Sequence, residues 1–212
     1  MELKGIIFDL DGVICFTDEY HYLAWKELAD KLGVYFDREI NNRLRGVSRM
    51  ASLEIVLERY DGPTLSQDDK ARLAEEKNAC YRELLGKMSP ADLSDEVKQT
   101  LDQLRQKGLK LAIGSSSKNA PFILERIGLA DYFDAISDGN NITRSKPDPE
   151  VFQLAAEYLG LDPSDCLVVE DAVAGAEAGH AAGMRVACLG DASAAGAGDY
   201  NLAAFRELME IV

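Results

Sequence analysis

The chain has 212 residues, 47% hydrophobic and 28% charged, which is enough apolar material for a sizeable interior and excludes an intrinsically disordered segment. Its 23 basic against 37 acidic residues leave a net charge of -14, which argues against nucleic acid and membrane partners, because both reward clustered Lys and Arg. Cys15, Cys80, Cys166 and Cys188 lie far apart without a CxxC pair, so neither a zinc site nor a small disulfide framework is expected, and a reducing cytoplasm fits.

Residues 3–9 (LKGIIFD) form a short apolar run ending in carboxylates and Gly12, which predicts a buried strand followed by a loop. Over residues 15–87 strand-like runs vanish and helical periodicity takes over. The first helix there follows Thr17 or Asp18 as N-cap, lines up Tyr22, Trp25, Leu28 and Leu32, and stops at Gly33. The last begins near Ser66, whose spacing to Asp69 resembles a capping box, and runs to about Leu85. On it Leu73, Lys77, Cys80 and Leu84 share a face, so Lys77 interrupts an apolar stripe and should point inward, although its long stem also lets it snorkel to water.

Beyond residue 87, helices are predicted over 94–107, 119–127, 149–159 and 172–182, each stopped by a glycine at the next position: Gly108, Gly128, Gly160 and Gly183. They alternate with apolar runs over 109–114 (LKLAIG), 166–169 (CLVV) and 185–189 (RVACL), and residues 134–137 can add a short strand. The Ala and Gly run 191–198 reads as a flexible loop. The expected class is α/β: a doubly wound, Rossmann-like parallel sheet core of residues 1–14 and 88–212, with an inserted all-helical cap domain at 15–87. Charge follows Met1 closely and no run approaches about 18 apolar residues, so neither an export signal nor a spanning helix is expected.

The chemistry-bearing residues gather at predicted strand ends, where loops of an open parallel sheet form the ligand crevice. Asp9 and Asp11 follow the first strand; one carboxylate can attack phosphorus while its neighbour moves a hydroxyl proton. Alternatively such a pair caps a helix or sits in a solvated turn. Glu170 and Asp171 follow CLVV, and several hard oxygens facing Asp9 would suit Mg²⁺; by themselves they also suit a helix N-terminus. Ser115, Ser116, Ser117, Lys118 and Asn119 lead from LKLAIG into a helix whose N–H groups can hold phosphate, or simply cap it. Lys146, in SKPDP, can neutralise a phosphoryl group or be solvated. Arg49, in GVSR between cap helices, has the planar fork for a second phosphate, or is a surface Arg. His21, one turn before Trp25, can steer a nearby acid or be a satisfied helix residue.

DLDGV, GSSSK, SKPDP and VVEDAVAG, in that order, resemble the four motifs of the haloacid dehalogenase superfamily of phosphotransferases, and the helical insert resembles that superfamily's mobile cap. Within it, TDEYHYLAWK, LRGVSR, EEKNACY, SPAD, SSSKN and FILERIGLADYFDAI are similar to segments of the β-phosphoglucomutase family. The resemblance implies that Asp9 is the phosphorylated nucleophile and Asp11 the general acid and base. It also implies Mg²⁺ held by the Asp9 side chain, the Asp11 carbonyl, Glu170 and Asp171. Ser115 and Lys146 would hold the transferring phosphoryl, and Arg49, Ser117, Lys118 and Asn119 the distal phosphate. Thr17, His21, Trp25, Gly46, Val47, Ser48, Lys77 and Ser116 would complete the phosphosugar site. The implied protein is a cytoplasmic monomer acting on a small phosphosugar, with a phosphosugar phosphatase as the alternative and a non-catalytic sensor as a remote one, since no acid of the set is missing. One departure is Phe16, where the family usually has an Asp before the Thr that opens the cap.

Overall fold

The computed structural model describes residues 3–45 and 47–212. The chain divides into two compact units, one built from the segments up to Phe16 and Ser89–Val212, the other from Thr17–Met88. The first segment contributes strand β1 (Gly5–Phe8), all four residues of which are buried. A strand covered on both faces needs no polar alternation, which is why GIIF is continuous and apolar.

The Thr17–Met88 unit is helical: α1 (Asp18–Leu32), α2 (Arg38–Asn42), α3 (Arg49–Val56) and α4 (Gln67–Leu85). Helix α1 ends at Gly33, whose φ of 68° lets its N–H return to the carbonyls of Ala29 and Asp30. Trp25, Leu28, Leu53, Val56 and Ala74 share one core with Phe36. Helix α4 opens on a complete capping box, Ser66 Oγ accepting from Asp69 N–H and the Asp69 carboxylate accepting from Ser66 N–H. Its buried face is Ala74, Lys77, Asn78, Tyr81 and Leu85. The predicted stripe of Leu73, Lys77, Cys80 and Leu84 is therefore corrected by about one residue: Leu73, Cys80 and Leu84 are half-buried flanks. The small side chain of Ala74 joins the core with α1, turning the helix from where hydrophobicity alone would put it. Arg49 is corrected as well, for it opens α3 rather than lying in a loop, with Ser48 Oγ accepting from Ala51 N–H at 3.2 Å.

The other unit adds β2 (Lys110–Gly114), β3 (Ala135–Ser137), β4 (Cys166–Glu170), β5 (Arg185–Cys188) and β6 (Tyr200–Asn201). Among the described residues these make one parallel six-stranded sheet in the order β3-β2-β1-β4-β5-β6. Around it lie α5 (Asp95–Gln106), α6 (Ala120–Arg126), α7 (Glu150–Leu159), α8 (Val173–Ala181), α9 (Gly190–Ala194) and α10 (Leu208–Ile211). Alternate strand residues face opposite sides: Ile7, Ala112, Val168 and Val186 pack with Phe152, Ala155 and Ala178 of α7 and α8. On the other face the Phe8 ring stacks on Phe205 at 5.7 Å and tilts against Phe133 at 6.3 Å. The doubly wound α/β class follows from that two-sided covering.

The expectation of a flexible loop over 191–198 is overturned. Residues Gly190–Ala194 are helical and Ala192 is fully buried. Ala192 N–H donates to the Asp171 carbonyl at 2.9 Å and Ser193 Oγ to the Leu202 carbonyl at 2.9 Å, so long-range bonds order a segment whose composition carries little local preference. Strand β6, two residues long, was not expected either. All four cysteines are free. Among the described residues no helix is long and apolar enough to cross a membrane.

Candidate active site

In chain order the sheet grows from β1 through β2 to β3, then jumps back to place β4 on the opposite side of β1. Loops after β1 and β4 therefore diverge, and the crevice between them is where open α/β sheets take ligands. Asp9 follows β1 directly and donates its N–H to the Val169 carbonyl at 2.9 Å, which registers it beside Glu170. Lys146 comes from the segment between β3 and α7. Its Nζ donates to Asp9 Oδ1 and to Glu170 Oε1, both at 2.5 Å, and lies 4.7 Å from the centre of the Phe152 ring. The other Glu170 oxygen accepts from Asp171 N–H at 2.8 Å and Ala172 N–H at 2.9 Å.

Asp9, Glu170 and Lys146 are buried, and Asp171 is half-buried. Burial raises the Asp9 pKa well above the ordinary carboxylate range; Lys146 opposes this, while Glu170, Asp11 and Asp171 add to it. For Lys146, burial would lower the pKa, but Asp9 and Glu170 outweigh it and hold the ammonium charged. One cation thus serves an excess of acids, and the shortfall of positive charge is what a divalent ion would fill. Ligand oxygens of Asp9, Glu170 and Asp171 lie within 4.8 Å of one another. That spread is close to the roughly 4.2 Å between opposite ligands of an ion bound at about 2.1 Å, and the donors are hard oxygens, so the set fits Mg²⁺. Asp11 is half-buried two residues beyond Asp9, and its backbone bridges to Cys15.

The serine loop begins where β2 ends, one strand over from Asp9. Ser115 is buried, donates its N–H to the Ser137 carbonyl at 3.0 Å, and its Oγ accepts from Ser117 N–H at 3.1 Å. Ser117 Oγ in turn accepts from Asn119 N–H at 3.1 Å, so the hydroxyls wind the loop into α6. Ser116 Oγ is buried and makes no hydrogen bond; Lys118 is exposed and Asn119 buried.

The remaining predicted site residues belong to the helical unit. Thr17 is buried at the N-cap position of α1, without a side-chain capping bond. Lys77 Nζ lies 3.0 Å from His21 Nδ1, 4.3 Å from the Tyr81 ring centre and 4.8 Å from that of Trp25, and the His21 and Tyr81 rings stack at 4.0 Å. An ammonium can only donate, so His21 Nδ1 accepts and Nε2 carries the proton. Burial lowers the His21 pKa well below its usual value, and Lys77 and Arg49 push it further down. Arg49 Nη1 pairs with Glu75 at 3.1 Å, and Val47 and Ser48 are half-buried beside it. Gly46 lies outside the described residues.

Residues 3–183 match the family of haloacid dehalogenase-like hydrolases. The chain belongs to that family. It is 44% identical to the β-phosphoglucomutase of Bacillus subtilis (strain 168) over 183 residues, covering 86% of this chain and 81% of that protein. A phosphorylated-carbohydrate phosphatase of Thermotoga maritima is 31% identical over 185 residues, with 86% and 83% covered. The crystal structure of β-phosphoglucomutase from Clostridium difficile superposes with a TM-score of 0.91 at 35% identity, over 97% of this chain and 93% of that one.

Several neighbours of the predicted residues were not read from the sequence. Phe152, whose ring faces the Lys146 ammonium, reads in sequence as one more apolar position of the stripe Val151, Phe152, Ala155, Ala156 and Leu159. Tyr81 could have been found, since it stands one helical turn after Lys77 on α4. Gly12 and Gly175 left no signal beyond the motif itself, because what matters at each is the carboxylate standing where a side chain would be.

Proposed function

We propose that the chain is a β-phosphoglucomutase, interconverting β-D-glucose 1-phosphate and D-glucose 6-phosphate through a phosphorylated Asp9 and β-glucose 1,6-bisphosphate. What carries this reading is the 44% identity to a β-phosphoglucomutase, well above the 31% to a phosphatase, joined to a buried Asp9 paired with Lys146. In the first half-reaction a sugar hydroxyl attacks the phosphorus of phospho-Asp9. Asp11 takes the hydroxyl proton, the Asp9 oxygen–phosphorus bond breaks, and the bisphosphate forms. After the bisphosphate turns around, the Asp9 carboxylate attacks its other phosphoryl group and Asp11 returns the proton to the leaving sugar oxygen. Lys146 and Ser115 hold the equatorial phosphoryl oxygens, and Lys146 orients the Asp9 carboxylate beforehand. Mg²⁺, held by Asp9, Glu170, Asp171 and the Asp11 carbonyl, would supply the remaining positive charge for the transferring group.

A mutase also has to hold the phosphate that is not reacting. We assign that task to Arg49, Ser117, Lys118 and Asn119, with Thr17, His21, Trp25, Gly46, Val47, Ser48, Lys77 and Ser116 completing the sugar-phosphate contacts. The second reading, a phosphosugar phosphatase, rests on the Thermotoga maritima relative and needs only that water resolve phospho-Asp9. A coupled assay separates them. Supplied with β-glucose 1-phosphate, Mg²⁺ and a trace of bisphosphate, the protein should yield glucose 6-phosphate, and Asp9→Asn should yield none. Inorganic phosphate as the main product would defeat the mutase reading.

A further inference from the structure

Glycine in a helix interior costs about 1 kcal/mol relative to alanine, so its presence there needs a reason. Helix α8 carries two buried glycines, Gly175 in its first turn and Gly179 in its interior. A Cβ built on Gly179 would press on Val186 at 2.7 Å and Val168 at 3.3 Å, so that glycine serves helix-to-sheet packing. At Gly175 the obstacle is different. A Cβ there would stand 1.9 Å from Glu170 Oε1, 2.0 Å from Cδ and 2.6 Å from Cγ. Glu170 could not swing aside cheaply, because its side chain is buried and both oxygens are engaged, by Lys146 on one side and by the Asp171 and Ala172 N–H groups on the other.

We propose that Gly175 is a positioning residue for the metal: its bare Cα is the space in which the Glu170 carboxylate lies, aimed at once at Lys146 and at the oxygens of Asp9 and Asp171. This rests on reading Glu170 as a magnesium ligand. Gly12 does the same for Asp171, whose Oδ2 stands 2.2 Å from a Cβ built there, but its φ of 92° would strain any substitution and confound a test. Gly175 has no such strain. An added methyl would stabilise α8 locally while displacing one carboxylate, and displaced supporting groups cost metal sites about 10–100-fold in affinity.

The test is a double-mutant cycle on the full chain, with Mg²⁺ binding read by calorimetry and the thermal midpoint read in chelator. Gly175→Ala should weaken Mg²⁺ binding by about 10–100-fold, whereas Gly179→Ala should lower the midpoint and leave Mg²⁺ affinity within about twofold. In a Glu170→Ala background, which removes the obstacle, Gly175→Ala should cost no further affinity and should raise the midpoint. Equal effects of Gly175→Ala in both backgrounds, or wild-type Mg²⁺ affinity in Gly175→Ala, would overturn the proposal. Should Gly175→Ala fail to fold, folding of the double variant supports the clash and its failure overturns it. If the wild type binds no Mg²⁺, the metal reading fails by itself, and the midpoint cycle still decides whether Gly175 makes room for Glu170.

Discussion

Lys77 is only 4% exposed, yet its ammonium faces two aromatic rings and the Nδ1 of His21. A cation so placed forbids a second one, and this is a physical cause of the depressed pKa of His21, after burial and with Arg49 adding to it. The consequence for stability has a definite sign. The unfolded imidazole protonates at about 6.5 and the folded one only well below, so on acidification the unfolded state takes up the proton first. Stability is complete above pH ~6.5 and falls below it, with a slope approaching about 1.4 kcal/mol per pH unit from this one group. Urea midpoints measured between pH ~5 and ~7.5 should fall more steeply on acidification in the native protein than in His21→Gln, the difference isolating this group from Asp9, whose raised pKa acts in the opposite sense. An unchanged slope would mean His21 is protonated in both states. That Lys77 lies on a buried face, one turn before Tyr81, was readable from its spacing, whereas the Trp25 ring and the His21 nitrogen that also receive it required the partner helix α1 to be in place.

At the scale of elements, several helix ends follow local chemistry. Ser94 Oγ accepts from Val97 N–H at 3.2 Å at the start of α5, and Gly108, Gly128, Gly160 and Gly183 take positive φ just beyond the helices they follow. Ser94→Ala should therefore cost about 1 kcal/mol, a drop of roughly 2–4 °C in Tm for a chain of this size, with Mg²⁺ affinity unchanged. A larger loss in differential scanning calorimetry would show that the hydroxyl does more than cap. Such ends were legible because they depend on residues within a few positions of one another. Helix α9 and strand β6 were not, since Ala192 is held by the Asp171 carbonyl and the Leu202 N–H by the Cys188 carbonyl, partners well removed in the chain.

For the whole molecule, a net charge of -14 sets a background repulsion among carboxylates. Surface ion pairs such as Lys70 with Glu54 at 2.8 Å act at contact and are worth little each, while the repulsion acts over 10 Å and more. Raising ionic strength from about 0.01 M to about 0.15 M shortens the screening length from ~30 to ~8 Å, which removes the long-range repulsion first. The urea midpoint should accordingly rise with sodium chloride over that range, and a fall would show that contact pairs dominate. The amino-acid order by itself determined the α/β alternation, the helical insert, and the four strand-end segments carrying Asp9, Ser115, Lys146 and Glu170, since apolar period, caps and turns are short-range properties. Only the tertiary structure decided that β1 lies between β2 and β4, and with it that Lys146 spans Asp9 and Glu170 and that two glycines leave room for carboxylates. Those facts depend on strand order and on where side chains meet in space, as when Lys146 reaches Asp9 across 137 positions of chain, which no local pattern encodes.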